Sequence, residues 1–260
     1  MRLKLTLAYL GGAYAGWQIQ AQSQGQGTIQ GEVERALEKL VGYPVRLHGA
    51  GRTDSGVHAE RQIAHVDVPD KPVNWLRALN ASLPRDIRIL DVEPVADTFH
   101  ARHSAIGKHY AYTAFCGQMP VPPRLEPFVW QTPSLDFAAM DAAATVLIGQ
   151  HDFASFRNTG TPVADTVREL WSLRREDGSA GFFCDSDSWP VTTWHFHGNG
   201  FLKQMVRNLM GLLVWVGLGR ITPADVAVCL AAKDRCSVPS PTAPAKGLTL
   251  LRVEYPDAPL

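Results

Sequence analysis

Leu3, Leu5, Leu7 and Tyr9 occupy every second position near the start of the chain, with polar or small residues between them. Side chains two apart share one face of a pleated strand, so this spacing predicts a half-buried strand. Gly11, Gly12 and Gly16 break the pattern, and the period then changes: Ile29, Val33, Ala36, Leu37, Leu40 and Val41 recur at the spacing of one helix face. Thr28 is placed to cap that helix, and Gly42 and Pro44 to end it. Both periods close together in one chain point to an α+β class.

The mixture continues. Strands are predicted over residues 45–50, 62–68 and 87–95, with a short helix over 74–83 between them. In the strand predicted over 107–116, Tyr110 and Tyr112 share one face and His109, Ala111 and Thr113 the other. After a loop carrying Pro120, Pro122, Pro123 and Pro127, Ser134 can cap a helix running to Ile148 and closed by Gly149. Strands follow over 167–174, 181–185 and 191–197. Residues 201–217 read as a strongly apolar helix on which Lys203, Arg207 and Gly211, four apart, form a narrow stripe. A last strand is expected over 248–255.

The 260 residues are 45% apolar, enough for a sizeable core in one large sheet-based unit or two linked ones. No apolar run approaches the roughly 18 residues needed to span a bilayer, and the N-terminus lacks a signal-peptide pattern, so a cytoplasmic location is expected. Cys116, Cys184, Cys229 and Cys236 are scattered without a C-x-x-C pair, which argues against a zinc knuckle or a disulfide framework. The formal net charge is zero, yet two stretches lack acids. One, between Asp97 and Glu126, holds Arg102, Lys108 and Arg124; the other, between Asp187 and Asp225, holds Lys203, Arg207 and Arg220. Such segments can build local electropositive surface that the total conceals.

The sharpest local feature is the run from His48 to Ala59, HGAGRTDSGVHA. Gly49, Gly51 and Gly56 allow tight backbone paths around Arg52 and Asp54, as a loop that brings a carboxylate to a ligand requires. A turn in which Asp54 only satisfies backbone N–H groups is the plainer alternative. His195 and His197 share a strand face without a third ligand at suggestive spacing, and Asp185 with Asp187 reads as a turn, so no metal site is predicted.

The run G-A-G-R-T-D-S-G-V-H-A resembles the signature loop of the tRNA pseudouridine synthase A family. Other segments are similar to that family in the same order: Tyr9 through Gly16-Trp17-Gln18; Lys108-His109-Tyr110-Ala111-Tyr112; His151 to Arg157; Phe201 to Gly211; and Pro244 to Leu248. Leu10 and Gly12 depart from it, standing where Asp and Thr are usual.

The resemblance implies a pseudouridine synthase α+β fold: two similar subdomains, here 1–104 and 105–260, whose antiparallel sheets join into one central sheet flanked by helices, with the active cleft at the junction. It implies isomerisation of uridine in the tRNA anticodon arm by a homodimer, and Asp54 as the catalytic carboxylate, either a nucleophile or a base leading to a glycal-like intermediate. Arg207 is the expected ion-pair partner, because a guanidinium offsets the desolvation that would otherwise protonate a carboxylate in a cleft. Tyr110 is expected to stack on the extruded uracil, and Arg52, Lys108 and Lys203 to contact RNA. The reaction requires no redox cofactor and no metal. Two alternatives stand beside this reading: a catalytically silent RNA-binding module, and a glycosidase using Asp54 with Glu60.

Overall fold

The computed structural model describes residues 1–19, 27–158, 165–178 and 189–256. It divides into two compact units, Met1–Ile106 with Thr249–Leu260, and Gly107–Leu248. The sequence division at 104/105 therefore changes at its far end, because the final strand groups with the first unit. Its partner is there: Thr249 and Leu250 pair in parallel with His58 and Ala59.

In the first unit the strands β1 (Arg2–Tyr9), β3 (His58–Asp67), β4 (Ile87–Val95) and β10 (Leu248–Glu254) run in the order β4-β1-β3-β10, with β2 (His48–Gly49) on β3. Leu3, Leu5, Leu7 and Tyr9 of β1 are buried in strict alternation, as their spacing predicts. Helix α1 (Ile29–Val41) also has its expected ends: the Thr28 side chain accepts from Gly31 N, and Gly42 closes it at φ 90°. Helix α2 (Trp75–Ser82) is capped by Asn74. Residues 45–47 are not in the expected strand. Helix α1 takes the backbone of Leu47 instead, Glu34 accepting its N–H at 2.9 Å and Gln30 donating to its carbonyl at 2.9 Å.

The second unit has strands β5 (Gly107–Cys116), β7 (Gly149–Asp152), β8 (Val167–Asp177) and β9 (Val191–Gly198) in the order β5-β9-β8-β7, with β6 (Trp130–Thr132) on β5. Pairing in both units is mixed, since β10 lies parallel to β3 and β6 parallel to β5; neither pair is joined by a hairpin that would force the antiparallel sense. Helix α3 (Phe137–Leu147) starts later than its sequence suggests, because Asp136, not Ser134, accepts from Ala139 N. Helix α4 (Met205–Gly217) is almost wholly buried, and α5 (Pro223–Ala231) begins at a Thr222/Asp225 capping box. The strand expected over 181–185 lies outside the described residues. Among the described residues no helix is long and apolar enough to cross a membrane.

Candidate active site

Asp54 sits on the loop between β2 and β3, and three inward contacts fix that loop inside the first unit. The Trp17 N–H donates to the Thr53 carbonyl at 3.0 Å. The Thr53 hydroxyl is buried and lies 2.9 Å from the Tyr9 hydroxyl. Gln62, fully buried on β3, donates from Nε2 to the Gly51 carbonyl at 2.9 Å. Gly51 and Thr53 are thus held from behind while the alternate residues turn outward: Arg52 is exposed and Asp54 half-buried. The turn closes through Val57 N donating to the Asp54 carbonyl at 3.1 Å, with Gly56 at φ +84°.

The N-terminal Gly-rich segment backs the same loop. A Cβ on Gly16, itself at φ +89°, would lie 2.7 Å from the Thr53 carbonyl oxygen, and one on Gly49 would lie 2.6 Å from the Trp17 ring. The Ser55 hydroxyl donates to the Tyr14 carbonyl at 2.9 Å, and Gly11 N donates to Nδ1 of buried His58 at 3.2 Å. The last motif residues, His58 and Ala59, belong to a strand, because β3 begins at His58, earlier than the expected residue 62. Exposed Glu60 lies on that strand and not on the loop.

The remaining predicted residues belong to the second unit. Lys108 and Tyr110 are on β5, opposite Gly198 and Phe196 of β9. Tyr110 is only 8% exposed and meets Phe201 edge-on at 5.1 Å, which brings β5 against the segment leading into α4. Tyr112 is the core tyrosine its alternation suggests: it is fully buried and donates to the Pro244 carbonyl at 2.8 Å. Arg207 is half-buried in the first turn of α4, and its Nε donates to the Ala243 carbonyl at 2.7 Å.

Lys203 does not lie on the helix, which starts at Met205. Gln204 has φ 59°, in the left-handed region, so the helix cannot extend back through it. Exposed Lys203 lies in the preceding turn, where its carbonyl accepts from Asn158 N at 3.2 Å. The expected stripe of Lys203, Arg207 and Gly211 therefore has no common helix face.

The sequence reading did not single out Asn208, which is fully buried. It donates to the Phe156 carbonyl at 2.8 Å and to Asn158 Oδ1 at 3.0 Å, and accepts from Thr242 at 2.6 Å. An Asn flanked by apolar residues in a buried helix was its available signal. His195 and His197 face different neighbours: His195 Nε2 lies 3.3 Å from a Glu176 carboxylate oxygen, and the His197 ring lies 3.5 Å from that of His109. Asp185 and Asp187 lie outside the described residues.

The first unit thus defines a class of site: a carboxylate and a guanidinium carried outward on a glycine-rich loop whose intervening residues are locked into the core. A sequence profile described as tRNA pseudouridine synthase matches residues 6–104 and 143–256. The chain is 52% identical to tRNA pseudouridine synthase A of Oleidesulfovibrio alaskensis, over 98% of this chain and 97% of that protein. It is 50% identical to tRNA pseudouridine synthase A of Lawsonia intracellularis, over 98% and 99%, and 40% identical to that of Geobacillus kaustophilus, over 98% and 95%. The chain belongs to the tRNA pseudouridine synthase family.

Proposed function

We propose that this chain isomerises uridine to pseudouridine in the anticodon arm of tRNA, at about positions 38 to 40, and does so in the cytoplasm as a homodimer whose subunits both touch each arm. Asp54 supplies the carboxylate that acts beside the ribose C1′. The N1–C1′ bond breaks, the uracil turns, C5 bonds to C1′, and the proton leaving C5 is balanced by one gained at N1. Arg207 is the guanidinium partner of that carboxylate, and Tyr110 is the aromatic face for the extruded base. Arg52, Lys108 and Lys203 contact the RNA, with Arg52 holding the flipped nucleotide's backbone.

The observation that carries this reading is the anchored alternation of residues 51–54, in a chain whose relatives match it nearly end to end. A loop fixed at Gly51 and Thr53 presents Arg52 and Asp54 without having to order them first, which is how positioning lowers a barrier. The test is an unmodified tRNA transcript tritiated at uracil C5. Wild-type protein is expected to release tritium to water, and Asp54→Asn to bind the transcript without release. Full release by Asp54→Asn, or the appearance of free uracil, overturns the assignment.

A further inference from the structure

Behind the loop lies a polar cluster in an otherwise apolar part of the first unit. Tyr9 is 3% exposed, Thr53 7% and Gln62 fully buried. The Gln62 Nε2 reaches the Gly51 carbonyl at 2.9 Å and the Tyr9 hydroxyl at 3.4 Å, and that hydroxyl lies 2.9 Å from Thr53 Oγ1. Gln62 Oε1 accepts from Ile63 N at 3.2 Å, which fixes the amide's orientation. Burial raises the Tyr9 phenol to about 12, so it stays protonated and works as a hydrogen-bonding group. Its oxygen accepts a hydrogen bond from Gln62, which leaves its own O–H to donate to Thr53.

Apolar groups of the same shape can replace a buried hydrogen-bonded pair almost without loss, so stability alone does not call for three polar side chains here. Two bonds of this cluster end on the residues that flank Arg52: Gln62 holds the Gly51 carbonyl and Tyr9 the Thr53 hydroxyl. We infer that Tyr9, Thr53 and Gln62 are positioning residues for the reaction, a buried relay that sets where the Asp54 carboxylate stands by holding the backbone on either side of Arg52. The inference rests on the proposed role of Asp54.

The test uses the full chain and the tritiated transcript, comparing Tyr9→Phe, Thr53→Val, Thr53→Ser and Gln62→Leu with wild type and Asp54→Asn. A misplaced carboxylate slows the chemical step and leaves RNA binding intact. Tyr9→Phe and Thr53→Val are therefore expected to lower the saturated release rate about tenfold or more, with the half-saturating tRNA concentration within about twofold of wild type. Thr53→Ser, which keeps the hydroxyl, should return to within about threefold. The Tyr9→Phe/Thr53→Val double variant should be no slower than the worse single one, because both remove the same bond. Should Gln62→Leu fail to fold, the shape-conserving Tyr9→Phe and the Val/Ser pair carry the result. Wild-type rates in Tyr9→Phe and Thr53→Val beside an inactive Asp54→Asn overturn the relay alone, as does a loss confined to half-saturation or one that Ser fails to rescue. Activity in Asp54→Asn overturns the reading on which the relay stands.

Discussion

Gly16 shows how single residues decide the geometry of this site. Its φ of +89° lies where an L-residue is strained, and a side chain there would press into the backbone of residues 53–55. Gly16→Ala carries about 1–2 kcal/mol of backbone strain, and the strain is relieved most directly by moving the loop that holds Asp54. The melting temperature is expected to fall by a few degrees, while tritium release falls by a larger factor than that destabilisation explains. Gly12→Ala is the control, since a Cβ there meets nothing within 4 Å. Equal behaviour of the two variants in melting and release assays would show that the close approach is immaterial. Asn208 is the counterpart in the second unit. Asn208→Leu leaves the Phe156 carbonyl and the Asn158 and Thr242 side chains without their buried partner, so a loss of about 2 kcal/mol or more is expected in urea unfolding.

At the scale of elements, what could be read in the sequence follows from how local each signal is. Strands β1 and β5 and helix α1 carry their period, and in α1 also their caps, within one short segment, and the structure reproduces them. Strand β6 has three residues and β7 four, with no alternation long enough to detect; their pairing comes from distant partners. Helix α5 is legible in Thr222, Pro223 and Asp225, which spell out its start. Replacing Thr222 by Ala should cost about 1 kcal/mol by thermal unfolding. In the site, the glycine-rich loop stood out by composition, whereas the support from Gln62 and Asn208 depends on residues far apart in sequence. The turn after β4 illustrates the same limit: Ala101 N donates to Nδ1 of buried His65 at 3.1 Å, and the His65 ring packs against His48 and His100. Desolvation first, then the neighbouring imidazoles and Arg2, lower His65 to about 4, against a smaller opposing effect of Asp67. The unfolded chain, with an imidazole near about 6.5, takes up the proton first. This contribution is therefore fully present above that value and is lost as the pH falls toward 4. The urea midpoint should drop across that window, and His65→Gln should flatten the slope; an unchanged slope refutes this role for His65.

For the whole molecule, the zero formal charge sets how a polyanion can be held. A neutral protein gains no long-range attraction from its total, so affinity for tRNA has to come from cations close enough to phosphate to escape screening, within about 8 Å at physiological ionic strength. Each such contact releases counterions, so binding weakens steeply with salt despite the neutral total. Arg52 on the glycine-rich loop and Lys203 in the turn before α4 are both exposed. Arg52→Ala and Lys203→Ala are each expected to reduce the slope of log affinity against log salt by about one. Arg35→Ala is the control, because that exposed guanidinium lies on α1, outside both the loop and the turn before α4, and its loss should leave the slope where it was. Filter binding of the transcript over a salt series measures all three. A slope that Arg52→Ala leaves intact would remove that residue from the RNA contacts, and an equal fall in Arg35→Ala would mean that the effect is a general one of charge, spread over the surface and not gathered at the loop.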